Sequence, residues 1–444
     1  MNDLATRTAP ARPGALRRAA PALLGYAAVR ALGLLVLVLW SEARGTNAYT
    51  LLTARWDALW YTRVAGLGYG YEVRLPNGDV HSNLAFFPLF PWLERLVAAV
   101  SPLSYADGGF LVSVLASLCA AWGIFAVADH LYGRRAGVYT VLLWAALPVG
   151  IVQSMAYSES LFTALAAWSL YAVLTGRWVT AGVLAGLAGL TRPVGLAVVA
   201  AVWAAGLASC LRERAGSARG APSVLERAGL PHEGTPFGRD RSTVPGDGAR
   251  SGQRAGTSTT APRAPAPDGA PRAPGAPGVR LRRALGMLLA PLGAAGYVLW
   301  VGHRTGDGPL GYLDVQAGWR NGFDGGYAFA RFVAGRFTSF PSALAGVGLL
   351  LGVGLVVWLY VVCVRQRQPL PLLVYAGVVT ALALCASSYF GSKPRLLLPA
   401  FPLLLPLARA LAGPRAPRPA LVVGAVAAAS AVYGAFWLNG SGPP

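Results

Sequence analysis

A chain of 444 residues that is 55% hydrophobic and only 13% charged, with a mean hydropathy of +0.49, carries more apolar surface than a water-soluble globule of that size keeps in solution. The formal net charge of +20 does not indicate nucleic acid, because the arginines fall at helix ends and in one linker rather than on a face interleaved with exposed aromatics. They suit a cytoplasmic surface facing anionic lipid, and the four cysteines, all in apolar runs without ligand spacing, predict neither a disulfide nor a metal site.

The pattern predicts an all-α polytopic membrane protein with about 11 transmembrane helices and one interfacial helix. Residues 1–20 form a polar tail whose Arg12, Arg17 and Arg18 place it in the cytoplasm. An N-terminal bundle, 21–211, opens with a retained first span at 21–40 and an outward loop at 41–108. Within that loop, Ala85–Val100 carries Glu94 and Arg95 between prolines and apolar residues, and is predicted to lie along the membrane interface. Further spans are predicted at 109–131, 137–154, 157–174, 179–191 and 194–211. Residues 212–281 are predicted to be a disordered, basic, cytoplasmic linker, with 13 arginines against 6 acids between Arg212 and Arg283. The C-terminal bundle, 282–444, has spans at 283–301, 342–364, 370–389, 396–411 and 420–438 and an outward loop at 302–341. With the spans alternating, Arg134-Arg135, Arg177, the linker, Arg365/Arg367 and Arg415/Arg418 all fall on the cytoplasmic side.

Charges at the outward span ends are not explained by that rule. They are Glu159 in AYSESLF, Arg192 in GLTRPVGL, and Lys393 and Arg395 in FGSKPRLLLP. A charge at mid-span costs on the order of 2.5–3.5 kcal/mol and less at the boundary, so an unpaired one there asks for a function. Lys393, the sole lysine, offers a compact rotatable donor and Arg395 a planar fork, a combination that suits one phosphate together with Arg192. Snorkelling to headgroups is the competing reading. Asp57, between Trp56 and Trp60 in RWDALWY, is the candidate general base, which would take a proton from a sugar hydroxyl as it attacks an activated anomeric carbon. The absence of any DxD, Walker, GxSxG or HExxH pattern argues against a metal-clamped nucleotide donor, and no cofactor is expected.

RWDALWY, GYGYE, AFFPLFP, AYSESLF, GLTRPVGL and KPRLLLPAFPL, in this order, resemble the PIG-V family of GT-C membrane mannosyltransferases. The arginine-, alanine- and glycine-rich composition suggests a member from a GC-rich, actinobacterial-type bacterium. The resemblance implies a GT-C bundle in the cell membrane, a polyprenyl-phosphate-linked mannose donor, inversion without metal, and a lipid-glycan or protein acceptor on the extracytoplasmic face. It implies Asp57 as the catalytic base, Arg192, Lys393 and Arg395 at the donor phosphate, and Trp56, Tyr61, Glu72, His81 and Glu159 lining the substrate site. The insertion LPNGDVHSNL before AFFPLFP and the long linker depart from the eukaryotic pattern and leave the acceptor open. The alternative is a polytopic transporter or lipid flippase, which would place ionisable groups in mid-span and show inverted repeats.

Overall fold

The computed structural model describes residues 14–219, 277–387, 389–413 and 417–440. Most of the predicted tail, most of the predicted linker and Arg415 lie outside the described residues. The chain divides into a large unit, formed by residues up to Ala208 and from Leu281 onward, and a small one at Ser209–Arg280. In the small unit, Arg280 pairs with Glu213 at 3.3 Å.

The large unit is helical, as its composition requires. Its helices are α1 (Ala15–Ala43), α2 (Ala48–Thr53), α3 (Asp57–Leu67), α4 (Leu89–Val100), α5 (Tyr105–Tyr132), α6 (Arg134–Ala145), α7 (Glu159–Leu174) and α8 (Trp178–Gly189). After these come α9 (Leu196–Arg219), α10 (Pro277–Leu289), α11 (Leu292–Thr305), α12 (Gly311–Gly318) and α13 (Tyr327–Gly335), with α9 and α10 running into the small unit. The chain continues through α14 (Ser342–Arg365), α15 (Leu370–Cys385), α16 (Lys393–Leu396), α17 (Leu405–Ala412) and α18 (Arg418–Leu438). Six helical segments among the described residues are long and apolar enough to cross a membrane, and a seventh becomes possible if the pair Phe390–Leu396 and Phe401–Ala412, bent by 73°, is one span. The predicted spans at 157–174, 179–191 and 370–389 appear as the shorter apolar helices α7, α8 and α15. The predicted span 137–154 breaks: α6 ends at Ala145, Pro148 follows, and the chain resumes as a 3-10 turn over Gly150–Ser154.

The break is stabilised from the middle of α1. Arg30 is buried, and both its Nη atoms donate to backbone carbonyls, those of Gly150 and Ala145. Nearby, Tyr26 stacks on Trp144 at 5.5 Å, and Trp144 Nε1 donates to the Leu398 carbonyl at 3.0 Å. The expectation that charges sit only at span ends is therefore corrected by Arg30. It was hidden inside an apolar run, and its role is to satisfy carbonyls that the broken helix leaves without partners.

α5 packs against α1, α4, α6 and α7, and α1 also packs against α18. The halves of the chain also meet where α8 packs on α10 and α11. A Cβ placed on Gly182, Gly286 or Gly293 would meet an opposing backbone carbonyl oxygen well inside 3.0 Å, so only hydrogen fits along this seam. α4 has a strongly one-sided apolar face that buries Phe90, Pro91 and Glu94, with Glu94 lying against Gly108 and Gly109 of α5. Neither Glu94 carboxylate oxygen has a hydrogen-bond partner among the described residues, and burial pushes this carboxyl up to about 9, so it is uncharged at neutral pH.

The loop insertion forms a feature that the helical reading did not anticipate, an antiparallel hairpin of β1 (Glu72–Arg74) and β2 (Val80–Ser82) with Val73 opposite His81. Gly78, at φ +89°, makes its turn. The buried Asn83 ties the hairpin base to the end of α3 by donating to the Gly68 carbonyl and accepting from the Gly70 amide.

Candidate functional site: a buried carboxylate and guanidinium quartet

Asp57 begins α3 directly after Trp56, whose φ of +50° is strained for a residue with a bulky side chain. Arg55 covers the Trp56 ring at 4.1 Å. Glu159 is the first residue of α7, where its carboxylate also faces the positive end of the helix. Arg192 stands in extended backbone after α8, just before the 3-10 turn Pro193–Gly195. Arg395 is held in the single turn of α16. Four residues far apart in the chain are thereby brought together.

Arg395 is the hinge of the cluster. Its Nη1 lies 2.9 Å from Asp57 Oδ2 and its Nε 3.2 Å from Glu159 Oε1, while its guanidinium carbon sits 5.1 Å over the Tyr157 ring. The same Glu159 Oε1 takes Arg192 Nη1 at 2.5 Å. Arg192 also donates to Ser158 Oγ at 3.3 Å, and that hydroxyl is 2.6 Å from the Tyr61 hydroxyl. Burial raises the Tyr61 phenol well above its ordinary value, so it stays protonated and able to donate. Exposure is graded across the cluster: the Glu159 side chain is 1% exposed, Arg395 9%, Arg192 13% and Asp57 23%. Two carboxylates and two guanidiniums leave no formal net charge, so the quartet is tolerated inside an apolar bundle. Its accessible edge presents one carboxylate oxygen acceptor and guanidinium donors side by side, a pairing that can accept a proton from one group and hold an anion on another.

Lys393 is placed differently. Its ammonium donates to the carbonyls of Ala383 at 2.9 Å, Leu384 at 3.4 Å and Ala386 at 2.7 Å, capping the C-terminus of α15, and it lies over the rings of Phe329 and Phe390. Its three N–H groups are thus all taken by backbone. The same helix end receives the loop after α12, through Ser387 N to Gly322 O and Gly326 N to Cys385 O. Lys393 therefore braces both the 3-10 turn Phe390–Ser392 with α16, which carries Arg395, and the loop that packs on the hairpin.

Glu72 is exposed on β1, and His81 on β2 stacks on Trp319 at 4.0 Å. Partial burial holds the His81 imidazole below its ordinary value, which leaves it neutral at pH 7. Among the described residues no hydrogen bond or ion pair joins either of them to the quartet. His81 belongs instead to an aromatic wall in which Trp60 stacks on Phe86 at 5.6 Å and meets Trp319 at 4.8 Å. The wall touches the polar cluster through Tyr61, whose ring meets Phe86 at 5.2 Å. Trp319 Nε1 donates to the Ser82 carbonyl, and Arg320 pairs with Asp79 at 2.6 Å, so the hairpin and the 302–341 loop are bonded to each other.

Tyr157, Ser158 and Trp319 are members of this region that residue-type reasoning passed over. Tyr157 and Ser158 stand in AYSESLF beside Glu159, so the signal was adjacency. Trp319 lies in a loop whose spacing shows nothing of its contacts. Among the described residues no group of three or more His, Cys, Asp or Glu could hold a metal ion.

A family model described as dolichyl-phosphate-mannose-protein mannosyltransferase matches residues 83–221, an interval that contains Glu159 and Arg192. Among solved structures, ArnT from Cupriavidus metallidurans bound to undecaprenyl phosphate is similar at 16% identity and a TM-score of 0.45, over 86% of this chain and 59% of that one. The apo form of the same protein gives 15% identity and a TM-score of 0.42, over 87% and 55%. The chain thus spans less than two thirds of the length of these structures. No curated protein matches.

Proposed function

We propose that this chain is a multi-pass membrane glycosyltransferase that moves a mannosyl unit from a polyprenyl-phosphate donor to a lipid-glycan or protein acceptor, without a metal, on the extracytoplasmic face of the cell membrane. The observation that carries the reading is the Asp57–Arg395–Glu159–Arg192 quartet, whose accessible edge joins a carboxylate to two guanidiniums at the end of an apolar bundle. The mannosyltransferase family model over residues 83–221 supports it. The PIG-V-like order of motifs agrees with both.

In this reading Asp57 accepts the proton of an acceptor hydroxyl as that oxygen bonds to the anomeric carbon. The bond from the anomeric carbon to the phosphate oxygen breaks with inversion, and the polyprenyl phosphate departs carrying the electron pair. Arg192 and Arg395 bind the phosphate and stabilise the charge that develops on it. Tyr61 donates from the protonated phenol beside Arg192, and Trp56 fixes the turn that aims Asp57. Lys393 acts on the phosphate through the turn carrying Arg395, since its own donors are taken by carbonyls. Glu72 and His81 belong to the hairpin rim, where an acceptor would enter. Arg30 does not favour a transporter, because both of its Nη atoms are tied to fixed carbonyls.

The test is transfer of radiolabelled mannose from polyprenyl-phosphate-mannose to membrane lipid and protein fractions, with EDTA present. Wild-type transfer that resists EDTA and is abolished by Asp57→Asn in a folded protein supports the reading. Activity retained by Asp57→Asn removes Asp57 as the base, and absence of transfer to any fraction removes the donor class.

A further inference from the structure

We propose that Glu159 is a positioning residue whose single carboxylate oxygen aligns Arg192 and Arg395 into one phosphate-binding pair. The inference rests on the donor reading above and reassigns Glu159 from the substrate-lining set to the support behind it. With its side chain 1% exposed, Glu159 has no surface to offer a sugar hydroxyl. Its Oε1 instead forms ion pairs with Arg192 Nη1 at 2.5 Å and with Arg395 Nε at 3.2 Å, contacts of charge rather than of aligned hydrogen bonds. Two like charges this close repel unless an anion lies between them, and the buried stems of both arginines leave little room to separate.

The geometry also divides the labour within Arg395. Glu159 holds the Nε edge, while the Nη1 edge meets Asp57 Oδ2 at 2.9 Å. Held between two carboxylates, the guanidinium has its Nε and Nη1 atoms buried, and Asp57 at 23% exposure is the most accessible member of the cluster. Arg192 is fixed in the same way from Glu159 and from Ser158 Oγ. An anion arriving there meets donors already oriented, so less rotamer freedom is lost on binding. Glu159 itself is set by the start of α7, where its backbone carbonyl accepts from Thr163 Oγ1 at 2.7 Å.

The experiment uses the full chain purified in detergent and compares its binding of a short-chain polyprenyl phosphate with that of the matching polyprenol, which lacks the phosphate. Glu159→Gln keeps size and shape but removes the charge that holds the arginines. The expected result is a loss of roughly tenfold or more in affinity for the polyprenyl phosphate, with polyprenol binding changed less than twofold. If Glu159→Gln does not fold, Glu159→Asp serves, because it keeps the charge but is one methylene too short to reach both guanidiniums; the same selective loss is expected. Equal losses for both lipids, or no loss for either, would overturn the inference while leaving the donor reading in place. Wild-type protein that fails to distinguish polyprenyl phosphate from polyprenol would overturn both.

Discussion

Arg395→Lys is the substitution that examines the quartet most directly. It keeps the positive charge and the buried stem but replaces a planar fork with one ammonium. The fork contacts two carboxylates with different nitrogens, Asp57 through Nη1 at 2.9 Å and Glu159 through Nε at 3.2 Å. An ammonium on a shorter stem reaches one of them. Loss of one of the two ion-pair contacts in a site only 9% exposed removes about 1.5–3 kcal/mol, and at 1.36 kcal/mol per decade that is a fall of roughly 10- to 150-fold in kcat/KM. The assay is initial-rate transfer from polyprenyl-phosphate-mannose by protein in detergent, with thermal unfolding followed in parallel. A fall mainly in kcat points to misalignment of Asp57, and a rise mainly in donor KM points to phosphate binding. A kcat/KM within threefold of wild type at unchanged stability would refute the argument that the fork bridges the two carboxylates to catalytic effect.

Glu94 predicts a pH dependence of stability. Burial pushes it from its ordinary 4.5 up to about 9, so its contribution to stability is fully present below about 4.5 and declines as pH rises toward 9, by about 1.4 kcal/mol per pH unit where the folded form alone holds the proton; Glu94→Gln is expected to flatten that decline in melting curves between pH 5 and 9. Gly286→Val puts side-chain carbon into the Trp178 carbonyl and is expected to destabilise by about 3 kcal/mol or more, read as loss of monodisperse protein in detergent, whereas Gly278→Val, where a Cβ meets nothing within 4 Å, is expected to be tolerated. Lys393→Met removes the cap on α15 and is expected to lower the melting temperature and speed proteolysis of the 302–341 loop; a variant that lost donor affinity with no change in stability would show that the ammonium acts on the phosphate directly.

The helical class and the quartet's members were legible for different reasons. Apolar run length announces helices whatever they pack against, so α5, α14 and α18 were found close to their limits, while α1 starts six residues before the predicted 21–40. Glu159, Arg192 and Arg395 were findable because charge at a membrane boundary is costly and therefore informative, and Asp57 because a carboxylate between Trp56 and Trp60 in an outward loop stands out beside the apolar runs. Their mutual bonding was not, since ion-pair geometry depends on how four distant segments meet. Lys393 and Arg395, two residues apart and assigned one task, show the limit: a single turn sends one side chain to helix carbonyls and the other to carboxylates. Arg30 and the break after α6 escaped for the converse reason, because a lone arginine in an apolar run carries no mark of the carbonyls waiting for it.

The glycine seam between α8 and the pair α10 and α11 bears on how much freedom the intervening sequence has. A joint made by backbone against backbone is specified by the absence of side chains on its two faces, and nothing in it refers to the residues between. No contact in the seam is made by residues between α9 and α10, so changes of length or composition there are expected to leave the joint intact, while a single methyl group on Gly182, Gly286 or Gly293 is expected to disrupt it. The two halves, co-expressed as separate polypeptides cut within 220–276, are accordingly expected to find each other in the bilayer and copurify. Halves that copurify would be two partners that ordinarily share one reading frame.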